Sequence, residues 1–308
     1  MPVSADIMIY GKKGRAGMQR KEEIERILPI RIRRLLEEKG IKHEYLQEIR
    51  FRVGQPVILQ YKNQEFILEE KRGMIGQGQN TTLFTSEEMQ ETIEYISNYS
   101  LYAFENEMRQ GFLTIQGGHR IGIAGKVFVD QGRVKRITNI GMLNIRIAHE
   151  VVGCSKEIID YLWEKDSFCH TLIISPPGGG KTTMLRDIIR EIAGGKNGLT
   201  VGVVDERSEI AASYMGVPQN QLGLRCDVMD GCPKAEGMLM LLRSMAPEVI
   251  AVDEVGGRDD IDALQSGRNC GCKILATIHG DSLEEVQEKP QMKEFLKKQF
   301  LFLYYLIY

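Results

Sequence analysis

The chain has no apolar run long enough to cross a bilayer, and Met1-Pro-Val-Ser-Ala-Asp-Ile-Met-Ile-Tyr10 lacks an apolar stretch followed by a small-residue cleavage site. Neither a membrane span nor an export signal is expected, which points to the cytoplasm or to the inner face of a membrane complex. An excess of one charge sign is also missing, since 40 Lys and Arg stand against 42 Asp and Glu for a formal charge of -2. A chain-wide basic surface for nucleic acid is thereby disfavoured, and only a local patch would serve. Cysteine is sparse and never occurs as C-x-x-C. The spacings of Cys226 and Cys232 and of Cys270 and Cys272 fit structural zinc poorly, so ordinary buried thiols in a reducing compartment are expected.

What is present is enough for two cores: 308 residues, 43% of them hydrophobic. Residues 1–22 read as a basic, glycine-rich lead-in. Residues 23–150 read as a small α+β domain. It would hold a helix near 21–38, a hairpin from Glu48–Val53 and Val57–Tyr61, a helix opened by Thr85-Ser-Glu-Glu and running to about Phe104, and strands at 112–115, 120–129 and 143–147. From 151 to 308 the pattern changes to helices alternating with short, almost wholly apolar segments at 171–175, 200–205, 248–253 and 273–278. Strands of that kind, separated by helices, predict a parallel sheet covered on both faces. The last apolar run, Phe300–Tyr308, is too short to span a bilayer; it reads as a final buried strand, with a partner-binding tail and a divergent terminus as the alternatives.

The segment Ser175, Pro176, Pro177, Gly178, Gly179, Gly180, Lys181, Thr182, Thr183 follows the apolar Thr171–Ile174 and precedes a helical pattern. Strand, glycine loop and helix start in that order form a phosphate cradle: backbone N–H groups wrap the phosphates, Lys181 reaches the terminal ones, and the Thr182 hydroxyl can ligate Mg²⁺. ATP or GTP is the expected ligand. Ser175 stands where the usual motif begins with glycine. Downstream, Val249-Ile-Ala-Val-Asp253-Glu254 is an apolar strand ending in two acids, 253 − 181 = 72 residues after the lysine. That order suits a second strand beside the loop, with Asp253 near the metal and Glu254 near an attacking water. Between them Asp205-Glu206-Arg207-Ser208-Glu209 closes another apolar strand. Its carboxylates repel one another unless a cation is near. Ala276-Thr-Ile-His279 ends a further strand, where a histidine could sense the γ-phosphate.

These four segments, with Leu242-Arg243-Ser-Met-Ala-Pro247 before the Asp253 strand, resemble the RecA-like ATPases of type II and type IV secretion. More of the chain, including Glu48–Pro56, Gly117–Gly125, Asn144–Ile147 and Asp230–Gly237, resembles the stage III sporulation AA family of that group. The resemblance implies an α/β RecA-like P-loop NTPase domain with a smaller N-terminal α+β domain, ATP and Mg²⁺ as cofactors, and a ring, hexameric in that group, working with membrane proteins of a secretion-like complex during endospore formation. It implies catalytic roles for Glu254, Glu206, Glu209 and His279, and arginines acting on the phosphates. The candidates are Arg109, Arg120 and Arg146 in the N-terminal domain, then Arg243 and Arg258. A nucleotide-gated scaffold with little turnover and a RecA-like nucleic-acid motor are the alternatives; the near-neutral charge disfavours the second.

Overall fold

A computed structural model describes residues 6–11, 15–16, 21–69, 83–97, 108, 111–195, 198–296 and 301–307. The chain folds as two compact units, Ala16–Glu150 and a larger one made of Met1–Arg15 with Val151–Tyr308. The first element, strand β1 (Asp6–Gly11), therefore belongs to the larger unit rather than to a lead-in. Its backbone is paired, which its basic and glycine-rich surroundings do not signal.

The smaller unit begins with α1 (Lys21–Ile27) and α2 (Ile30–Glu38). One helix was expected here, but Pro29 lacks the N–H that a continuing helix would need and sits at φ -56°, ψ 147° as the start of the second. Strands β2 (Leu46–Arg52), β3 (Ile58–Tyr61) and β4 (Gln64–Ile67) form the expected hairpin with one more strand added. Helix α3 (Ser86–Ile96) opens on a capping box between Thr85 and Glu88. The stretch 98–107, where it was expected to continue, lies outside the described residues. Strands β5 (Phe112–Thr114), β6 (Arg120–Asp130) and β7 (Arg133–Arg146) complete an antiparallel sheet of order β4-β3-β2-β7-β6-β5. Phe51 and Phe84 stack at 4.2 Å inside this unit.

The larger unit holds β8 (Thr171–Ser175), α4 (Lys181–Ala193), β9 (Val201–Asp205), β10 (Cys226–Asp230), α5 (Lys234–Ser244), β11 (Val249–Val252), α6 (Arg258–Asn269), β12 (Lys273–His279), α7 (Leu283–Glu288), α8 (Pro290–Phe295) and β13 (Leu301–Ile307). Its seven strands are all parallel, in the order β1-β13-β8-β12-β11-β9-β10. Successive residues of the inner strands point to opposite faces. Ile173, Val203, Ala251 and Leu275 pack with Met184, Leu185 and Ile188 of α4, while Leu172, Ile174, Ile250 and Ile274 pack with Met238, Leu241 and Leu264 from α5 and α6. Burial on both faces is why these strands read as unbroken apolar runs. The C-terminal run is a strand with neighbours on both sides, whereas β10 at the edge is half exposed and carried no such signal.

The segment that enters this unit is tied to α4. Asp187 accepts from the Gly153 and Ser155 amides at 2.9 and 2.7 Å and from the Ser155 hydroxyl at 2.7 Å, and it pairs with Arg190 at 2.8 Å. Burial alone would raise its carboxyl. These donors outweigh burial and hold it below the usual carboxylate range.

Candidate functional site

The loop from Pro176 to Gly180 joins the carboxyl end of β8 to α4. Gly178 (φ 76°) and Gly180 (φ 81°) lie in the left-handed region that favours glycine, and a Cβ at Gly178 would meet open space rather than protein. Gly179 is needed for a different reason: a Cβ there would fall 1.9 Å from Ser175 Oγ. Ser175 is 1% exposed and donates to the Pro176 carbonyl at 3.3 Å. The side chain at the motif's first position thus occupies the space that a residue other than glycine at 179 would require. At the helix start, the amides of Lys181, Thr182 and Thr183 have no acceptor within the helix, and its first turn carries no acid. Such a helix end favours an anion.

Lys181 is 4% exposed. Its Nζ donates to the carbonyls of Ser175 (3.1 Å) and Pro176 (3.0 Å) and lies 2.8 Å from His279 Nδ1. Burial lowers its pKa, with Glu254 and Asp253 pulling the other way. Thr182 Oγ1 donates to Asp253 Oδ2 at 2.5 Å, and the Thr277 hydroxyl donates to the other oxygen of Asp253. The same Thr277 oxygen accepts the Glu254 amide at 2.8 Å. Glu254 stands at φ 52°, a backbone setting unusual for a side chain of its size. Its carboxylate is held from both sides, by His279 Nε2 at 2.8 Å and by Arg207 at 3.1 Å.

The strand order corrects one expectation. β11 does not lie beside β8; β12 runs between them, pairing Ser175 with His279 on one side and Val252 with Ala276 on the other. Thr277 and His279 therefore stand between the loop and the acid pair. His279 links Lys181 to Glu254, and Thr277 fixes both acids. Nothing in the sequence marks Thr277, because a threonine within an apolar strand has the residue pattern of an ordinary core position. Its hydroxyl becomes significant only through its neighbours.

The acids at the end of β9 are held in different ways. Asp205, 2% exposed, accepts the amides of Glu209, Ile210 and Ala211 at 2.8, 3.0 and 2.8 Å. Burial pushes its carboxyl up, the three amides oppose this, and nearby Asp253 adds to the rise. Asp205 shapes the loop from within. Glu206 pairs with Lys234 at 2.7 Å, a partner the sequence order did not reveal. Arg186 of α4 donates to the Glu209 and Ile210 carbonyls at 2.6 and 2.8 Å. Glu206, Glu209, Arg207, Lys234, Asp253 and Glu254 line one narrow cleft.

Two of the arginine candidates are brought together, since Arg120 on β6 pairs across the sheet with Arg146 on β7. Arg120, in the smaller unit, lies over the Phe112 ring at 3.6 Å, and Arg146 is exposed on β7. Arg243 and Arg258 are exposed at the end of α5 and the start of α6, and Arg109 lies outside the described residues. All six cysteines are free, but the expectation of buried thiols holds only for Cys272: Cys270 is exposed and the other four are half-buried. Burial pushes Cys154 and Cys226 up to about 12. Among the described residues no helix is long and apolar enough to cross a membrane.

The fold has counterparts among solved structures. The pilus retraction motor PilT with bound ADP superposes at a TM-score of 0.54 with 14% identity, covering 84% of this chain and 73% of that one. The ATPase DotB of Legionella pneumophila gives 0.52 and 16%, covering 90% and 72%. The architecture is that of the RecA-like secretion ATPases, with a smaller N-terminal domain. Over 282 residues, 90% of this chain and 87% of the relative, the sequence is 40% identical to stage III sporulation protein AA of Bacillus subtilis (strain 168). The profile of the family described as "Sporulation stage III, protein AA" matches residues 18–308, and the chain belongs to that family.

Proposed function

We propose that the chain is a Mg²⁺-dependent ATPase whose turnover powers assembly of, or transport through, a membrane-associated complex during endospore formation. The observation that carries this reading is the convergence of Lys181, Thr182, Asp253, Glu254 and His279 at the carboxyl ends of β8, β11 and β12. The residues fit the ligand. The glycine loop leaves open space beside Gly178, and the helix start offers amides without an acceptor. ATP would be held by residues 175–183, and Mg²⁺ by Thr182 and Asp253; the bound ion would neutralise charge that builds on the phosphate oxygens. Lys181 adds positive charge at the helix start. Glu254 is the water-orienting base, its carboxylate held in place by His279 and Arg207. Glu206 and Glu209 line the adjoining cleft in supporting roles. A hexameric ring and partners in the membrane complex complete the proposal, which draws on the likeness to the secretion ATPases.

Phosphate release from Mg²⁺-ATP tests it. Wild-type protein should turn over, Lys181→Ala should not, and Glu254→Gln should retain nucleotide while losing hydrolysis. Negligible single-turnover hydrolysis in wild type, no greater than in Glu254→Gln, would favour a nucleotide-gated scaffold and defeat the enzyme reading.

A further inference from the structure

Beyond Gly125, strands β6 and β7 of the smaller unit pair with no third strand among the described residues. β5 pairs with β6 only at Arg120–Gly122, and β2 pairs with β7 only at Met142–Arg146, whereas β6 and β7 pair with each other out to Asp130 and Arg133. The outer part, residues 126–138, is a two-stranded arm. Its tip is built for this: Gln131 (φ 48°) and Gly132 (φ 73°) make the two-residue turn whose twist suits a hairpin. At its base a Cβ on Gly125 would come within 2.7 Å of the Thr138 carbonyl, so only glycine lets the strands approach there.

Cross-strand pairing sorts the arm's side chains by face. Val127 is opposite Ile137 and Val129 opposite Val134, which makes one face wholly aliphatic. Three of these are well exposed, at 46% for Val127, 54% for Val129 and 40% for Val134. The other face carries Lys126, Phe128, Asp130, Arg133, Arg136 and Thr138, and Lys135 stands at a bulge between the two. Four cations accompany one carboxylate in an arm whose parent chain has a formal charge of -2. The carboxylate, Asp130, is within 3.6 Å of Lys135.

We propose that this arm docks on an anionic lipid surface, with Val127, Val129, Val134 and Ile137 against the acyl boundary and Lys126, Arg133 and Arg136 at the phosphates. Two strands make a ribbon roughly 5 Å across, narrow enough for long basic side chains to reach past its edge to the headgroups. An anionic bilayer answers both features at once, since it offers apolar depth beneath a negative plane. Nucleic acid would answer the cations and leave the aliphatic face in water. A second copy is a poorer match. Of the large exposed apolar residues of the other unit, Met215, Val217 and Leu224 lie in Tyr214–Leu224, which contains no acid to meet the arm's cations, and Tyr161, Met240 and Met245 lie apart from that segment in the chain. This inference is independent of the nucleotide site.

The test is flotation of the full chain with vesicles of phosphatidylcholine alone or mixed equally with phosphatidylglycerol. Binding to the anionic vesicles should exceed binding to the neutral ones at least tenfold and fall steeply as salt is raised. Val127→Ser/Val129→Ser/Val134→Ser and, separately, Arg133→Gln/Arg136→Gln should each lose about tenfold in binding while keeping the wild-type melting temperature and ATP turnover. As a measurement that does not depend on loss, Val129→Trp should shift its emission to the blue on adding anionic vesicles. The proposal is overturned by wild-type protein that ignores anionic vesicles, or by folded arm variants that bind as wild type does. It is equally overturned if the arm variants lose only oligonucleotide binding, or alter only the oligomeric state.

Discussion

Thr277→Val removes one oxygen from the centre of the site and leaves the shape of the side chain almost unchanged. Thr277 is fully buried; its hydroxyl donates to Asp253 and accepts the Glu254 amide. Losing a hydrogen bond to a charged group costs about 1.5–3 kcal/mol, and stranding a buried amide costs about 1–3 kcal/mol. Both acids are only half-buried, so the low end of each range applies, and a lesion of about 2.5 kcal/mol falls on the two acids together without touching the phosphate loop. Asp253 keeps its bond from Thr182, so its carboxylate stays in the site with one oxygen unrestrained. Glu254 loses the bond that supports its positive φ. If the whole loss appears in the transition state, turnover falls roughly 50- to 100-fold, at about 1.4 kcal/mol per decade. Steady-state phosphate release, with a thermal melt to establish folding, measures it. A folded variant whose kcat stays within about threefold of wild type would refute the role given to this hydroxyl.

Gly179→Ala should lower the melting temperature and impair turnover, because its Cβ would fall 1.9 Å from Ser175 Oγ. Adding Ser175→Gly should recover much of both; a double variant no better than the single would show that the clash is not the cause. Asp187→Asn should destabilise the protein at neutral pH. Because the folded-state carboxyl sits below its ordinary value of 3.8, the stability it contributes is present above that value and lost as pH falls through the lower folded one. The melting difference from wild type should therefore close only in strong acid, and a pH-independent gap would contradict this. His170 has the opposite acid behaviour to a paired histidine. Burial first, then Arg268 and Lys273, lower it from 6.5 to about 4, and its Nδ1 accepts the Ile274 amide at 3.1 Å. The unfolded chain binds the proton more readily, so stability should fall as pH drops from 6.5 towards 4. His170→Asn, which keeps an acceptor, should flatten that limb in melts across the range. An unchanged slope would exclude His170 as its source.

The sequence alone determined the local chemistry. A strand, glycine loop and helix start are contiguous, so residues 175–183 were legible as one unit, and strands buried on both faces announced themselves as apolar runs. Acids at the ends of two such strands were legible for the same reason. What tertiary structure decided is who stands beside whom. Parallel strands that are neighbours in the sheet are distant in the chain, so β12 entering between β8 and β11 leaves no local trace, yet it puts Thr277 on Asp253 and His279 between Lys181 and Glu254. Two ion pairs of the site, Lys234 with Glu206 and Arg207 with Glu254, come from the same long-range closure. Strand β1 shows the limit most plainly: its parallel pairing with β13 joins opposite ends of the chain, and backbone hydrogen bonds between such ends depend on the fold rather than on any pattern that a short window of residues can display.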